Sequence, residues 1–317
     1  MKEHPSSPPY GSTGFLLAFV LFLAAFSPPL GAAEAILIGA GDIAKCGGAL
    51  AGAEGTARLL DQFFVDFAAP PAEPPGEQTP TQAVVFTLGD NAYTRGTAKQ
   101  FAECYDPTWG RHKARTRPAV GNHEYQTRDA RPYFNYFGEA AGDRDKGYYS
   151  YDLGNWHIVV LNTVCVAVDG CAPGSTQYEW LVQDLKNNPS PCTLAYMHHP
   201  LFSSGKHRGE TEIRPLVEAL YEAGAEVMLA GHEHNYERFA PQTPLGGFEP
   251  SRGIRQFVVG TGGRERRKFR KAVPHSEVRD RSTYGVLKLS LHPDSYDWEF
   301  IPIEGGAFRD SGSEKCH

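Results

Sequence analysis

The pattern that best predicts the fold is found in the segment Ala83-Val84-Val85-Phe86-Thr87-Leu88-Gly89-Asp90-Asn91-Ala92-Tyr93. It consists of an apolar run, a glycine, and then a side chain that can bind a metal ion. The same order recurs at Gly41-Asp42, Gly121-Asn122 and Gly231-His232. Each polar side chain would lie where a buried strand ends, which is the edge where open α/β sheets bind ligands, and glycine would let the backbone turn sharply there. A single Gly-Asp is a common turn, but four sites of this design predict one shared ligand-binding edge.

Short apolar runs alternate with segments of helical periodicity, which is the order expected of an α/β layered domain. Helices are predicted at residues 56–67, 176–186 and 212–223. Residues 284–291 and 296–303 predict an antiparallel hairpin, and the proline-rich residues 69–81 predict an exposed loop. The remaining predicted strands are residues 35–43, 83–88, 118–120, 157–161, 193–197, 226–230 and 256–259.

The N-terminus has the pattern of a secretory signal peptide, with Lys2 before an unbroken apolar run from Phe15 to Phe26 and small residues at 31–33. We therefore predict a signal peptide at residues 1–33, a single domain at residues 34–317, and a secreted or periplasmic location. The apolar run is shorter than the roughly 20 residues of a membrane-spanning helix, so no stable membrane insertion is expected after cleavage. An uncleaved membrane anchor is the alternative.

The cysteine content fits export, because an even set of six is what disulfides in an oxidising compartment require. Cys165 and Cys171 flank a short loop and are the first choice for a pair. Metal ligation by cysteine is the competing idea, but the chain has no C-x-x-C pair. The formal net charge of −6 argues against nucleic acid as a binding partner.

Further metal-capable side chains accompany the four strand ends. Tyr93 follows Asp90 by three residues, so one turn would bring a phenol and a carboxylate to the same ion. His232 and His234 are two residues apart, which places both imidazoles on one side of an extended backbone. With His198 and His123 they form a set of imidazole and oxygen ligands that suits iron, zinc or manganese better than calcium or magnesium.

At these residues the chain resembles the calcineurin-like metallophosphoesterases, and among them the purple acid phosphatase branch. The motifs Gly41-Asp42, Gly89-Asp90 with Tyr93, Gly121-Asn122-His123-Glu124, His198 before Pro200, and Gly231-His232-Glu233-His234 match in order. The resemblance implies an αββα sandwich, in which two mixed β-sheets are flanked by helices. It also implies two metal ions, Fe(III) with Zn, Mn or Fe(II).

The resemblance implies a role for each matched residue. Asp42, Tyr93 and His234 would hold the first ion, Asn122, His198 and His232 the second, and Asp90 would bridge them. His123 would contact the substrate phosphate. His207 lies where relatives place another phosphate-contacting or proton-donating histidine. Of the adjacent His198 and His199, alternation along a strand allows only one to ligate, and His198 is preferred.

Such a centre predicts hydrolysis of small phosphomonoesters. Two cations lower the pKa of bound water from about 15.7 towards 7, so a metal-bound hydroxide would attack phosphorus while His207 protonates the leaving alcohol. Phosphodiester or nucleotide hydrolysis and a noncatalytic metal or phosphate binder are the alternatives. A serine-hydrolase elbow and a P-loop are both absent from the sequence.

Several residues near the motifs are open to two interpretations. The basic run at residues 264–271 either steers acidic substrates or forms a solvated loop. Glu124, Glu237 and Arg238 either support the ligands or are solvated charges. His112, His157, His275 and His292 belong to no motif and are expected to be structural or surface residues.

Overall fold

The structure is a computed structural model that describes residues 1–2, 35–47, 50–68 and 82–317. Nearly all of the predicted signal peptide and the predicted loop at residues 69–81 lie outside these ranges. Across the described ranges, no helix combines the length and the apolar composition that crossing a membrane would require.

The described residues form fifteen strands and five α-helices. In chain order they are β1 (Ala35–Ala40), β2 (Ala44–Lys45), α1 (Ala51–Ala68), β3 (Gln82–Leu88), β4 (Ala92–Tyr93), α2 (Ala98–Gln100), β5 (Thr116–Ala119), α3 (Arg131–Phe137), β6 (Tyr149–Leu153), β7 (Trp156–Val160), α4 (Thr176–Asn187), β8 (Cys192–Met197), α5 (Arg214–Glu222), β9 (Val227–Ala230), β10 (Tyr236–Phe239), β11 (Arg255–Val259), β12 (Ser276–Asp280), β13 (Gly285–Leu291), β14 (Ser295–Pro302) and β15 (Ser311–Lys315).

Two mixed sheets form the centre of the fold. The first has the order β15-β14-β13-β1-β3-β5, and the second has the order β12-β10-β11-β9-β8-β7-β6. In the first sheet β1, β3 and β5 run parallel, and β13 joins β1 antiparallel. In the second sheet β7, β8, β9 and β11 run parallel. The parallel strands lie at the middle of the second sheet and form one side of the first sheet, with β5 at its edge.

The sheets pack against each other through one apolar core, and helices cover the outer faces. Ile158 of β7 belongs to the core between the sheets, whereas its neighbour Val159 packs with α4 and α5 residues, because alternate strand residues point to opposite faces. On α1, the residues at helical spacing that are buried in the same contact cluster are Ala53, Ala57, Leu60 and Phe64. This architecture confirms the predicted αββα sandwich.

Element boundaries differ from the prediction mainly at helix starts and strand ends. The helix predicted at residues 56–67 begins earlier, at Ala51, and the one predicted at 212–223 begins with a 3-10 turn before α5. The strand predicted at 35–43 ends at Ala40, and β5 ends at Ala119. The predicted hairpin is confirmed as β13 and β14.

All six cysteines form disulfides, Cys46–Cys104, Cys165–Cys171 and Cys192–Cys316. The predicted pair across the short loop is therefore confirmed, and no cysteine is available as a metal ligand. The last disulfide ties β8 to the residue after β15 and so links the two sheets.

The histidines outside the motifs make structural contacts. His157 is buried between Asp152 and Asp184, with 2.9 Å from each ring nitrogen to a carboxylate oxygen. Burial by itself would lower the pKa of His157, but the two carboxylates outweigh it and raise the pKa above its ordinary value. His112 contacts Asp61, His292 contacts Asp297 and the ring of His275 stacks on Phe248.

Candidate metal centre

Three of the predicted ligands occupy left-handed backbone at the ends of central strands. Asp42, Asp90 and His232 have φ angles of 60°, 52° and 67°. Residues with a side chain rarely adopt this conformation, which costs about 1–3 kcal/mol and is concentrated at functional sites. The sequence pattern predicted that the preceding glycine would make the sharp turn, but of the four glycines only Gly89 has a positive φ. The turn is therefore made mainly by the polar residue itself.

The other motif glycines are needed for close approach. A Cβ atom on Gly121 would lie 2.3 Å from Asp90 Oδ1 and 2.4 Å from the Asp90 backbone nitrogen. A Cβ atom on Gly231 would lie 2.8 Å from Asp42 Oδ2. Any side chain at these positions would displace a carboxylate, so each glycine leaves room for the polar residue of a neighbouring strand end.

Four predicted ligands meet around the Tyr93 hydroxyl. This hydroxyl lies 2.6 Å from Asp42 Oδ1, 2.8 Å from Asp90 Oδ2 and 3.3 Å from His234 Nε2. His234 Nε2 also lies 3.4 Å from Asp42 Oδ1. All four side chains are almost completely buried. Two carboxylates, a phenol and an imidazole therefore converge in one place.

The remaining predicted ligands form an adjoining group around His198 Nε2. This nitrogen lies 2.9 Å from Asn122 Oδ1, 3.2 Å from His232 Nδ1 and 3.4 Å from Asp90 Oδ1. Asp90 thus faces both groups, through Oδ2 towards Tyr93 and through Oδ1 towards His198. The structure brings all seven side chains predicted as ligands into a single continuous cluster.

Backbone carbonyls fix the tautomers of the imidazoles. His198 Nδ1 lies 2.7 Å from the Leu88 carbonyl, and His234 Nδ1 lies 2.7 Å from the Glu265 carbonyl. A carbonyl only accepts, so each Nδ1 carries the proton and each Nε2 presents a lone pair to a carboxylate. Two electron-rich atoms at 3.4 Å require positive charge, either a second ring proton or a metal cation between them. The donor set, with its outer hydrogen bonds, fits a metal centre.

The electrostatics of the buried acids also indicate a site for cations. Burial by itself would raise the pKa of Asp42, but the charge and hydrogen bond of His234 and the Tyr93 hydroxyl lower it below its ordinary range. Burial raises the pKa of the Tyr93 phenol well above its usual value, and the charges of Asp42 and Asp90 raise it further. A phenolate at Tyr93 therefore needs more positive charge than the surrounding side chains provide.

Glu124 holds two of the strand-end turns together. Its Oε2 accepts from the backbone N–H groups of Asp90 (3.0 Å) and Gly121 (2.8 Å), and its Oε1 accepts from those of Asn91 (2.8 Å) and Ala92 (3.3 Å). The carboxylate is completely buried. Burial raises the pKa of Glu124 to about 8, with the charge of Asp90 adding to the rise and the backbone N–H groups opposing it. Glu124 thus supports the predicted metal ligands, which is the first of the two interpretations given for it from the sequence.

The other two candidate supporting residues differ from each other. Glu237 is buried, and its carboxylate accepts from the backbone N–H of Ser204 and the hydroxyl of Ser276. It therefore holds the loop before His207. Arg238 forms ion pairs with Asp310 and Glu277. Its interpretation as a partner of the ligands is wrong, because Arg238 alternates with Glu237 along β10 and points away.

The two predicted substrate-contacting histidines both lie against the cluster. His123 Nδ1 lies 2.5 Å from the Thr94 carbonyl, and its Nε2 lies 3.7 Å from Asp90 Oδ2. His207 Nδ1 lies 3.1 Å from His232 Nε2. Burial, followed by the charges of Arg267 and Lys206, lowers the pKa of His207. Both imidazoles therefore reach the cluster from its open side.

His199 is closer to the cluster than strand alternation predicted. β8 ends at Met197, so alternation is not imposed on His198 and His199. The ring centre of His199 lies 4.5 Å from that of His232, and its Nδ1 lies 3.0 Å from the Thr163 hydroxyl. Strand alternation therefore does not decide between the two histidines, and ligation by His198 alone stays a prediction. His198 alone contacts Asp90 and Asn122.

The basic run at residues 264–271 packs on the site. Backbone N–H groups of Arg264, Arg267 and Arg270 donate to the carbonyls of Asp42 (2.8 Å), His234 (3.0 Å) and Ser204 (2.8 Å). These bonds recur every third residue and fix the segment against two of the predicted ligands. The run is a loop in which five of the eight residues are exposed, as the solvated-loop interpretation expected, while its backbone bonds hold it next to the predicted ligands.

Two arginines of this run lie at the site. The sequence analysis named the run as a whole but did not assign either arginine to the site. The Arg264 guanidinium carbon lies 4.8 Å from the centre of the Tyr93 ring, and Arg267 Nη1 lies 3.3 Å from both His207 Nδ1 and the His232 carbonyl. The only signal in the sequence was the run of charge, which does not indicate which residues face the centre.

Comparison with known proteins identifies the family of the chain. The family model of the calcineurin-like phosphoesterases matches residues 37–236, which is more than half of the chain. The chain therefore belongs to the calcineurin-like phosphoesterase family. Its curated relatives include several purple acid phosphatases, which confirms the predicted resemblance.

Purple acid phosphatase 21 of Arabidopsis thaliana is 31% identical over 221 residues, which cover 61% of this chain and 49% of that protein. Human acid phosphatase type 7 is 29% identical over 209 residues, which cover 54% of this chain and 45% of that protein. Purple acid phosphatase PPD1, isolated from yellow lupin (Lupinus luteus) seeds, aligns with a TM-score of 0.72 and 19% identity over 90% of this chain and 55% of that chain. The lupin structure shows a shared fold, and the chain spans about half the length of these relatives.

Proposed function

We propose that the chain is an exported, metal-dependent phosphatase that hydrolyses phosphomonoesters. The observation that carries the proposal is the convergence of seven metal-capable side chains from distant segments of the sequence into one cluster, of which five are buried and two half-buried. The family match supports phosphoester chemistry. The three disulfides support an oxidising compartment, and with it a signal peptide at residues 1–33 followed by one domain at 34–317.

The ligand assignment follows the two groups of the cluster. Asp42, Tyr93 and His234 would hold one ion and Asn122, His198 and His232 the other, with Asp90 between them. When bound, two such ions neutralise phosphoryl oxygens and lower the pKa of water, so that a nucleophile is available near neutral pH. The phenol of Tyr93 favours Fe(III) at the first position, with Zn, Mn or Fe(II) at the second.

The residues on the open side would handle the substrate. The guanidinium of Arg267 supplies donors for the phosphoryl oxygens, and the His123 ring is expected to contact the substrate phosphate beside it. His207 Nδ1 is engaged by His232 and Arg267, and Nε2 has no partner among the described residues. That nitrogen is the one to donate a proton to the leaving alcohol as water adds to phosphorus and the ester P–O bond breaks.

Turnover of 4-nitrophenyl phosphate by the metal-loaded protein tests the proposal. We expect activity that a chelator abolishes, that added metal restores, and that Asp90→Asn eliminates, while the exposed control Asp145→Asn leaves it unchanged. Elemental analysis with a visible spectrum identifies the ions, and a purple colour supports Tyr93 on ferric iron.

The same assay separates the alternatives. Faster cleavage of bis(4-nitrophenyl) phosphate than of the monoester would assign the chain to the diesterases. Stoichiometric metal with no cleavage of either ester would make it a binder. His207→Ala should slow an alkyl ester more than an aryl ester, because a good leaving group needs less protonation. Equal slowing of both esters would remove His207 from the proton-donor role.

A further inference from the structure

A small cavity adjoins the site on the side of His207. It has a volume of about 300 Å³ and is lined by Arg208, Arg270 and Lys271 together with Ser203, Ser204, Gly205, Ala272, Val273 and Pro274. Three of these nine residues are cationic and none is acidic. This concentration of positive charge contrasts with the net charge of −6 of the whole chain.

The three cations of this cavity lack partners. Within residues 35–47, 50–68 and 82–317, no carboxylate oxygen lies within 4 Å of the charged nitrogens of Arg208, Arg270 or Lys271. Other arginines of the same region, such as Arg238 and Arg255, are paired with carboxylates. The nearby carboxylate of Glu237 is occupied by Ser203, Ser204 and Ser276. The cavity is therefore available to an external anion.

The walls of the cavity are held by the same contacts that build the site. Glu233 accepts from the backbone N–H groups of Lys206, His207 and Arg208, so one carboxylate fixes both His207 and the neighbouring Arg208. On the opposite wall, Arg270 donates its backbone N–H to the Ser204 carbonyl at 2.8 Å. The backbone N–H of Val273 donates to the Ser204 hydroxyl at 3.0 Å. The cavity therefore has a fixed position next to His207.

We propose that this cavity binds a second phosphate group of the substrate, so that the chain acts preferentially on small molecules carrying two or more phosphates. The inference rests on the proposed function, because one phosphate must occupy the metal centre while the other lies among Arg208, Arg270 and Lys271. Guanidinium groups match the geometry of phosphate oxygens, and clustered cations favour a dianion over a neutral group. Arg267 contacts His207 and the His232 carbonyl, and it belongs to the same fixed segment as Arg270.

Binding of two nonhydrolysable phosphonates to the metal-loaded protein tests the inference without depending on turnover. Methylphosphonate carries one anionic group, and propane-1,3-bisphosphonate carries two. We expect calorimetry to give at least about tenfold tighter binding of the bisphosphonate to the wild type, because charged hydrogen bonds are added. The variant Arg208→Gln/Arg270→Gln/Lys271→Gln should lose most of that ratio. The control Arg144→Gln/Lys186→Gln/Lys315→Gln removes the same charge from exposed positions and should keep the ratio.

Turnover gives a second readout. The ratio of KM for fructose 6-phosphate to KM for fructose 1,6-bisphosphate should fall in the cavity variant, with kcat for the bisphosphate nearly unchanged. If the triple variant does not fold, Arg208→Gln and Lys271→Gln tested singly should each lower the ratio of the phosphonate dissociation constants about threefold or more.

The outcomes separate the two proposals. An unchanged ratio in folded cavity variants of an active enzyme overturns the second-phosphate site and leaves the phosphatase assignment standing. If this ratio falls equally in the cavity variant and in the control variant, the preference for two phosphates depends only on the net charge of the protein. That result also overturns the second-phosphate site. A wild type that cleaves no phosphoester after metal loading overturns the phosphatase assignment instead.

Discussion

Glu124→Gln tests whether one buried carboxylate holds the metal-binding turns together. Glutamine keeps the size of glutamate and one acceptor oxygen. The NH₂ group that replaces the other oxygen would face two backbone N–H groups. If it replaces Oε2, the N–H groups of Asp90 and Gly121 lose their acceptor. These two bonds join the end of β3 to the end of β5, so the substitution separates the turns that carry Asp90 and Asn122.

The magnitude follows from the number of donors left unpaired. A buried N–H without an acceptor costs about 1–3 kcal/mol, so two of them cost about 2–6 kcal/mol of the free energy of unfolding. Typical domains are stable by only about 5–15 kcal/mol, so the loss is a large fraction of the total. Removal of a group that orients metal ligands typically lowers metal affinity by about 10–100-fold, and we expect a loss in this range.

Urea unfolding and metal titration measure the two effects separately. The unfolding midpoint of metal-free protein reports the hydrogen bonds alone, and calorimetric titration of the folded variant reports the metal affinity. Glu103→Gln is the matched control, because Glu103 is exposed and its nearest cation, Lys99, is 3.9 Å away. That control should change stability by less than about 0.5 kcal/mol. A Glu124→Gln protein that matches this control in both measurements would refute the assigned role of the carboxylate.

Three other changes have definite expected results. Gly121→Ala should lower metal affinity at least about tenfold and destabilise the protein by about 1–3 kcal/mol, because the new methyl group would overlap Asp90; metal titration and urea unfolding measure both. The raised pKa of His157 means that the folded protein holds its proton more tightly than the unfolded chain, so this stabilisation is complete below about pH 6.5 and is lost as pH rises through the folded pKa. His157→Gln should therefore show a flatter plot of unfolding free energy against pH. Removing Cys192–Cys316, which spans 124 residues, should cost about 5 kcal/mol in urea unfolding, against about 2 kcal/mol for Cys165–Cys171, which spans 6.

The sequence predicted the central strands and the polar strand ends because both depend on local patterns. Buried parallel strands such as β3 and β8 are continuous apolar runs, and a motif residue follows each of them closely. Edge strands lack this pattern. In β12 and β15 alternate residues are exposed, and most of the residues between them are polar or small, such as Gly312, with Val278 as the exception. Their strand structure depends on pairing with β10 and β14, which no local pattern reveals.

Within the site, too, the residues that follow a local sequence pattern were predicted, and those placed by contacts between distant segments were not. Four of the seven ligand candidates were identified because each follows an apolar run and a glycine, and the other three because they are metal-capable side chains close to such motifs or in a matching motif. Arg267 follows Thr261-Gly262-Gly263 only at a distance, within a run of like charges, so its contact with His207 depends on how the segment packs. The backbone bond from Arg267 to His234 fixes that packing. Such a bond involves atoms that every residue has, and sequence therefore carries no signal for it.

The geometry of the strand ends explains why the motif is a pair of residues rather than a single ligand. The left-handed φ at Asp42, Asp90 and His232 is unfavourable, although aspartate and histidine tolerate it better than most residues do. Two carboxylates and a phenol are buried together, which is also unfavourable without cations. Because glycine has no Cβ atom, the neighbouring strand ends can approach each other closely. The residue after the glycine adopts the strained conformation, which directs its side chain towards the neighbouring strand ends. Neither feature stabilises the fold by itself, so their repetition at one edge is best explained by the binding of metal ions there.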